Sequence, residues 1–102
     1  MNDAEYTDEA TRWVTPAGQE LHWEVFNGHH AVYDARSGDT HLLAEPTAQV
    51  LRWLLVHPGT VSEITEDLCG ESGEHCDENS LARYARLLRE LHSVGLIEKA
   101  GT

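Results

Sequence analysis

Hydrophobic residues recur with a period of two in the first half of the chain. In "ELHWEVFNG", Leu21, Trp23 and Val25 occupy alternate positions, which predicts a half-buried strand. Two more short apolar segments follow, "HHAVYDA" and "THLL", and the turn sequences "NG" and "RSGD" separate the three. We therefore predict a three-stranded antiparallel meander over residues 20–43.

After residue 44 the period changes to that of helices. "AEPTAQVLRWLLVHPG" has Pro46 at a first helical position, and in "TVSEITEDL" Thr60 and Glu63 form a capping box. The acidic segment 70–78 predicts a loop. The clearest helix is "SLARYARLLRELHSVG", capped by Asn79 or Ser80 and ended by Gly95.

The order of these elements is β-β-β-α-α-α, which indicates an α+β, winged-helix-like fold. We also predict short extended segments at "WVTPAG" and "LIEK". With 102 residues, one domain is expected. Residues 1–11 are acidic and lack apolar periodicity, so we predict a disordered tail, followed by the domain at 12–99.

The charge of the chain restricts its partners. The chain has eighteen Asp and Glu residues and seven Lys and Arg residues, which gives a net charge of −11 with the histidines neutral. Nucleic-acid affinity depends on neutralising phosphates, so we expect no affinity for duplex DNA or for anionic membranes. No apolar run is long enough to cross a bilayer, and the polar N-terminus does not resemble a secretory signal. A cytoplasmic location is expected.

The residue types that carry chemistry form no recognisable catalytic motif, so we predict a protein that is not an enzyme and has no cofactor. His29 and His30 are predicted to be solvent-facing turn residues. Asp34 and His41 are interpreted as a cross-strand pair. The arginines at 83, 86 and 89 lie on the polar side of the last helix, where they predict either a solvated basic face or a patch complementary to an acidic peptide segment.

Cys69 and Cys76 flank the acidic loop. In the cytosol such thiols usually stay reduced, although a loop that folds back would allow a disulfide. A metal site with His75 is a third possibility, but structural zinc needs four ligands. These three states remain open at the level of sequence.

The third predicted strand pairs with the second strand on one side and is followed directly by a helix. Its other side is therefore predicted to be an open edge of the sheet. The segment "THLLA" is apolar and nearly neutral, whereas open sheet edges are usually protected by charge or proline. Such an edge favours the addition of a strand from another chain. If the last helix packs beside it, strand and helix together form a groove.

The pattern "VYDARSGDTHLLAEPTAQVLRWL", together with "LLRELHSVGLIE", resembles PqqD-like proteins, in particular the HPr-rel-A system branch of these peptide chaperones. The resemblance covers residues 13–98. It implies the fold of a precursor-peptide recognition element, a three-stranded sheet on a three-helix winged core. It also implies a non-catalytic adaptor that captures a leader peptide as an added strand and presents it to a modifying enzyme or an HPr-kinase-like neighbour.

On this resemblance the peptide-binding residues come from the third strand and the last helix. The strand contributes Asp39, Thr40, His41, Leu42 and Leu43. The helix contributes residues among Leu81, Tyr84, Ala85 and Leu88, with Arg89 or His92 at the flank. Two alternatives are a winged-helix transcription regulator and an interaction subunit whose sheet edge pairs in a homodimer.

Overall fold

The predicted meander is present in the computed structural model, which describes residues 10–73 and 76–100. Strands β2 (Leu21–Phe26), β3 (His29–Asp34) and β4 (Asp39–Leu43) form one antiparallel sheet in the order β2-β3-β4. The turn between β2 and β3 consists of Asn27 and Gly28, both with positive φ, as a two-residue hairpin requires. The alternating pattern therefore predicted this sheet correctly.

A second small sheet was only partly expected. Strand β1 (Arg12–Val14) pairs on one side with β5 (Gly59–Thr60) and on the other with β6 (Glu98–Lys99). The extended segments predicted near Trp13 and in "LIEK" are confirmed, but nothing in the sequence indicated β5. The tail predicted for residues 1–11 falls almost wholly outside the described residues.

Three helices follow the meander: α1 (Glu45–Val56), α2 (Val61–Ser72) and α3 (Glu78–Ser93). The capping box at the start of α2 is confirmed, since the Glu63 N–H donates to Thr60 Oγ1 and the Thr60 N–H donates to Glu63 Oε1. None of the helices in the described chain is long and apolar enough to cross a membrane. The architecture is α+β, with the β2-β3-β4 sheet followed by three helices and the small sheet beside them.

Two predicted boundaries around the acidic loop were wrong. Helix α2 continues to Ser72 and ends where Gly73 adopts a left-handed conformation, so the predicted loop begins three residues too early. Helix α3 begins before Asn79, because the Asp77 carboxylate accepts a hydrogen bond from the Ser80 N–H and caps the helix.

The hydrophobic core lies between the helices and one face of the meander. Its most deeply buried side chains come from all three helices, from β3 and from the segment after α3. Fully buried members are Val32, Ala48, Val50, Leu51, Ile64, Leu88, Leu91, Leu96 and Ile97. This arrangement leaves the other face of the meander exposed to solvent.

Cys69 and Cys76 form a disulfide, with their Cα atoms 5.9 Å apart. Cys69 lies in α2 and is fully buried, whereas Cys76 is exposed just before α3. The bond therefore ties the end of α2 to the start of α3. His75, which the metal hypothesis required, lies outside the described residues. Among the residues described, no group of three His, Cys, Asp or Glu side chains is placed to hold a metal ion.

Gly59 in β5 is packed directly against the indole of Trp53. A Cβ at this position would collide with Cη2 and Cζ3 of the ring and would lie 3.0 Å from Glu63 Oε1. The ring has little freedom to move, because its Nε1 donates to Asp67 Oδ2 at 2.7 Å. Only a residue without a side chain fits there.

We predict that Gly59→Ala lowers the free energy of unfolding by about 1–3 kcal/mol, the usual cost of overpacking. Urea denaturation followed by circular dichroism measures the change. Gly70→Ala is the matched control: the residue is helical, and a Cβ built there would meet no atom within 4 Å apart from the neighbouring backbone of its own helix. This control should stabilise the protein by up to about 1 kcal/mol. An unchanged stability of Gly59→Ala would contradict the prediction.

Candidate functional site

The alternation of hydrogen bonds in the meander determines which amides of β4 face outward. Phe26 and His29 flank the two-residue turn and therefore form a hydrogen-bonded pair. Because hydrogen-bonded and non-hydrogen-bonded pairs alternate along an antiparallel ladder, the backbone groups of the odd-numbered residues of β3 bond to β2. The Ala35 N–H, which donates to the Glu20 carbonyl at 2.9 Å, continues this series. Even-numbered residues of β3 consequently bond to β4.

In the β3–β4 pairing, the even-numbered residues of β3 lie opposite Asp39, His41 and Leu43. His41 and Leu43 direct their backbone groups inward, while the Asp39 N–H donates to Ser37 Oγ at 3.2 Å in the adjoining turn. Thr40 and Leu42 therefore direct their N–H and C=O groups away from β3. No strand in the described part of the chain pairs with β4 on that side. The open edge thus presents two residues whose backbone groups are free to bond to another strand.

A groove of about 540 Å³ lies beside this edge, between β4 and the C-terminal end of α3. We call it the β4–α3 groove. Leu42 and Val94 stand on its rim with 60% and 47% of their surfaces exposed, whereas Leu43 and Leu91 are buried. Its lining residues are His29, Thr40, His41, Leu42, Leu43, Ala44, Thr47, Glu90, Leu91 and Val94.

The strand residues predicted for the site are brought together here. Thr40, His41, Leu42 and Leu43 all line the groove, and Asp39 begins the same strand. Their role in peptide binding stays a prediction.

The helix residues predicted for the site lie elsewhere. Tyr84, Ala85 and Leu88 are buried in the core, and Leu81 packs against it. Arg89 is exposed and does not line the groove, and the ring of His92 packs edge-on against Trp13, with the ring centroids 5.2 Å apart. The helix wall of the groove is formed by Glu90, Leu91 and Val94, which the sequence analysis did not select.

Glu90 gives the groove its charge. It is the one lining residue that carries a full charge when the histidines are neutral. Among the described residues its carboxylate makes no ion pair, and its main-chain carbonyl accepts a hydrogen bond from Ser93 Oγ. The remainder of the lining is apolar, hydroxyl or imidazole.

His30 was predicted to face solvent, and this was wrong. Only 8% of the residue is exposed, since it shares the core-facing side of β3 with Val32. Its Nε2 lies 2.5 Å from Glu45 Oε1 and its Nδ1 lies 3.0 Å from Arg52 Nη2. Arg52 also stacks on Trp23, with the guanidinium carbon 5.0 Å from the ring centroid. His29, by contrast, is exposed as predicted.

The geometry assigns the tautomer of His30. A guanidinium has no acceptor, so Arg52 donates and Nδ1 must be unprotonated. Nε2 then carries the hydrogen and donates to Glu45. Because His30 pairs with Leu43 across the sheet, this network fixes the end of β4 to the first turn of α1. It therefore positions the strand that forms the groove.

The hydrogen bond from His30 lowers the pKa of Glu45 below its ordinary value of 4.5, assisted by the nearby Arg52 charge. A carboxylate whose pKa is lowered on folding stabilises the protein above its unfolded pKa. That stabilisation is lost as the pH falls through the lowered value. The network should therefore weaken in acid.

We predict that Glu45→Gln removes part of the acid sensitivity of the fold. The difference in unfolding free energy between the parent and this variant should be constant above about pH 5 and shrink steadily below it. Urea titrations at several pH values measure it. Glu24→Gln, which removes an exposed acid from β2, is the control for loss of charge. A difference that is independent of pH down to pH 3 would exclude the proposed coupling.

Three other groups of polar residues lie outside the β4–α3 groove. Arg83, Arg86 and Arg89 are exposed as predicted, and Arg83 lies over the ring of Tyr84. A second cavity, of about 380 Å³, surrounds Trp53 and is lined by Arg12, His57, Pro58, Glu63, Glu66 and Asp67. Arg12 in this cavity pairs with Glu63 at 3.4 Å. Asp34, proposed to pair with His41, instead lies opposite Asp39 and accepts the Arg36 N–H.

Comparison with known proteins does not identify a relative: neither protein-family models nor curated proteins nor solved structures match this chain.

Proposed function

We propose that this protein is a non-catalytic peptide-binding adaptor of the PqqD-like type, built on a winged-helix-like domain. In this proposal an extended segment of a precursor peptide adds to β4 as a fourth strand. Its backbone bonds to Thr40 and Leu42, and alternate side chains enter the β4–α3 groove. The adaptor then presents the peptide to a modifying enzyme or to an HPr-kinase-like neighbour.

One observation carries the proposal, namely the outward-facing backbone groups of Thr40 and Leu42 beside an apolar groove. Strand addition needs both parts. Main-chain hydrogen bonds supply affinity for an extended segment, while pockets for alternate side chains supply selectivity. The resemblance of "VYDARSGDTHLL" and the following helices to PqqD-like proteins supports the same function.

Charge weighs against the alternatives. A regulator that binds DNA has to neutralise phosphates, which is difficult for a chain of net charge −11. A homodimer through β4 brings two acidic copies together. The cytoplasmic location stays a prediction, and the Cys69–Cys76 bond bears on it, since disulfides are uncommon in cytosolic proteins.

Amide hydrogen exchange tests the proposal. Short random peptides displayed on phage are selected against the protein, and exchange rates are then compared with and without a bound peptide. The amides of Thr40 and Leu42 should become protected, whereas that of His41, already bonded within the sheet, should change little. Protection confined to another surface, or failure to select any peptide, would refute strand addition at β4.

A further inference from the structure

The charged residues in and near the β4–α3 groove indicate which charge its ligand should carry. Glu90 lies on the helix wall among apolar side chains, and its carboxylate has no ion-pair partner among the described residues. Asp39, which does not line the groove, is an exposed acid at the start of β4, the strand that forms the other wall. An extended segment in the groove therefore passes close to negative charge.

The field of the whole molecule has the same sign. Acids outnumber Lys and Arg by eighteen to seven, so a cationic segment is attracted from a distance and an acidic one is repelled. An acidic ligand side chain beside Glu90 places like charges together where the groove walls exclude part of the solvent, which is destabilising. A basic side chain there gains an ion pair.

The alternation of the sheet determines where apolar side chains are needed. A strand added to β4 directs every second side chain to the same face as His41 and Leu43, which is the face toward α3. Leu91 and Val94 line that side. The intervening side chains lie beside Leu42, on the outer face of the sheet.

We propose that the ligand of this groove is a cationic extended peptide, with apolar residues at alternate positions and a lysine or arginine that pairs with Glu90. This inference rests on the proposed function, because it specifies the peptide that strand addition at β4 accepts. It requires no contribution from Arg89, which does not line the groove.

A displayed peptide library tests the pairing with Glu90. Its members carry Val, Leu or Phe at alternate positions and are randomised at the remaining positions and at both flanks. Selection is carried out with the parent protein, with Glu90→Gln and with Glu66→Gln. Glu66 is an exposed acid on α2 that does not line the groove, so its substitution changes the net charge equally.

We expect Lys and Arg to be enriched over Asp and Glu at one flank when the parent or Glu66→Gln is used. With Glu90→Gln this preference should disappear. A selected basic peptide should bind Glu90→Gln about fivefold more weakly, the effect of one ion pair at the upper end of the range for exposed pairs. Added salt should reduce its affinity for the parent more than for this variant.

The outcomes separate the two proposals. Peptides that bind at β4 with equal use of basic and acidic flanks would overturn the charge preference and leave strand addition intact. Equal loss of affinity in Glu90→Gln and Glu66→Gln would also overturn the pairing, since only the net charge would then matter. If the library yields no binder, the proposed function fails and the inference fails with it.

Discussion

Replacing Thr40 with proline is expected to weaken peptide binding about tenfold while the domain stays folded. Proline has no N–H, and the Thr40 amide faces the open edge, so the substitution removes a donor to the peptide and spares the bonds between β3 and β4. A tenfold change corresponds to about 1.4 kcal/mol. Fluorescence anisotropy with a peptide selected from the display library measures it, and circular dichroism checks the fold.

Two neighbouring substitutions make this result interpretable. Thr40→Val keeps the backbone N–H and the branched shape, so it should bind the peptide like the parent. His41→Pro removes an amide that bonds to β3 and leaves an acceptor unsatisfied, which costs about 1–3 kcal/mol of stability. If Thr40→Pro remains folded and binds as tightly as the parent, strand addition at β4 is wrong.

The folding of the two proline variants also tests which amides of β4 face the open edge. If Thr40→Pro unfolds the sheet and His41→Pro does not, the backbone directions inferred from the Asn27–Gly28 turn are reversed. Hydrogen exchange in the free protein gives an independent check, because the Thr40 and Leu42 amides should exchange faster than the His41 amide.

The sequence predicted the meander well because two independent signals agree there. The alternation of Leu21, Trp23 and Val25 sets the faces, and Asn27-Gly28 sets the register. The period of two also applies to β3. His30 is two residues before Val32, so both side chains lie on the buried face of the strand. His30 also lies two residues after the turn, where histidines are usually exposed, but the period of two places its side chain in the core.

The helix side of the groove was harder to predict, because the apolar face of α3 both packs in the core and lines the groove. Tyr84, Ala85 and Leu88 pack in the core and do not line the groove, whereas Val94 and Leu91, which is also a core residue, do line it. Helical periodicity identifies this face but not which of its turns another element covers. That depends on the tertiary positions of α1 and β4, which the pattern does not encode.

The start of α3 is determined by a local signal, the side chain of Asp77. Asp77 is three residues before Ser80, the spacing at which a cap side chain reaches an N3 amide. Asn79 and Ser80 are also good caps, so residue type alone did not decide between them. The Cys69–Cys76 bond lies at this same junction and holds Cys76 one residue before the cap.

Loss of this disulfide should lower the free energy of unfolding by about 2.5 kcal/mol, the chain-entropy value for a closed loop of this length. Most domains are stable by only about 5–15 kcal/mol, so the effect is large. Cys76→Ser is the better variant, because Cys76 is exposed, whereas Cys69→Ser places a hydroxyl in the core. Urea denaturation with and without a phosphine reductant provides the measurement.

The reductant should destabilise the parent to the level of Cys76→Ser and leave the variant unchanged. Loss of the bond should affect the groove only weakly. The bond joins α2 to the segment just before α3, whereas Glu90, Leu91 and Val94 lie in and just beyond the last turn of α3. A reduced protein that unfolds at the same urea concentration as the oxidised one would show that the link adds no stability. A reduced, still folded protein that no longer binds peptide would show that α3 moves as a unit when its N-terminus is released.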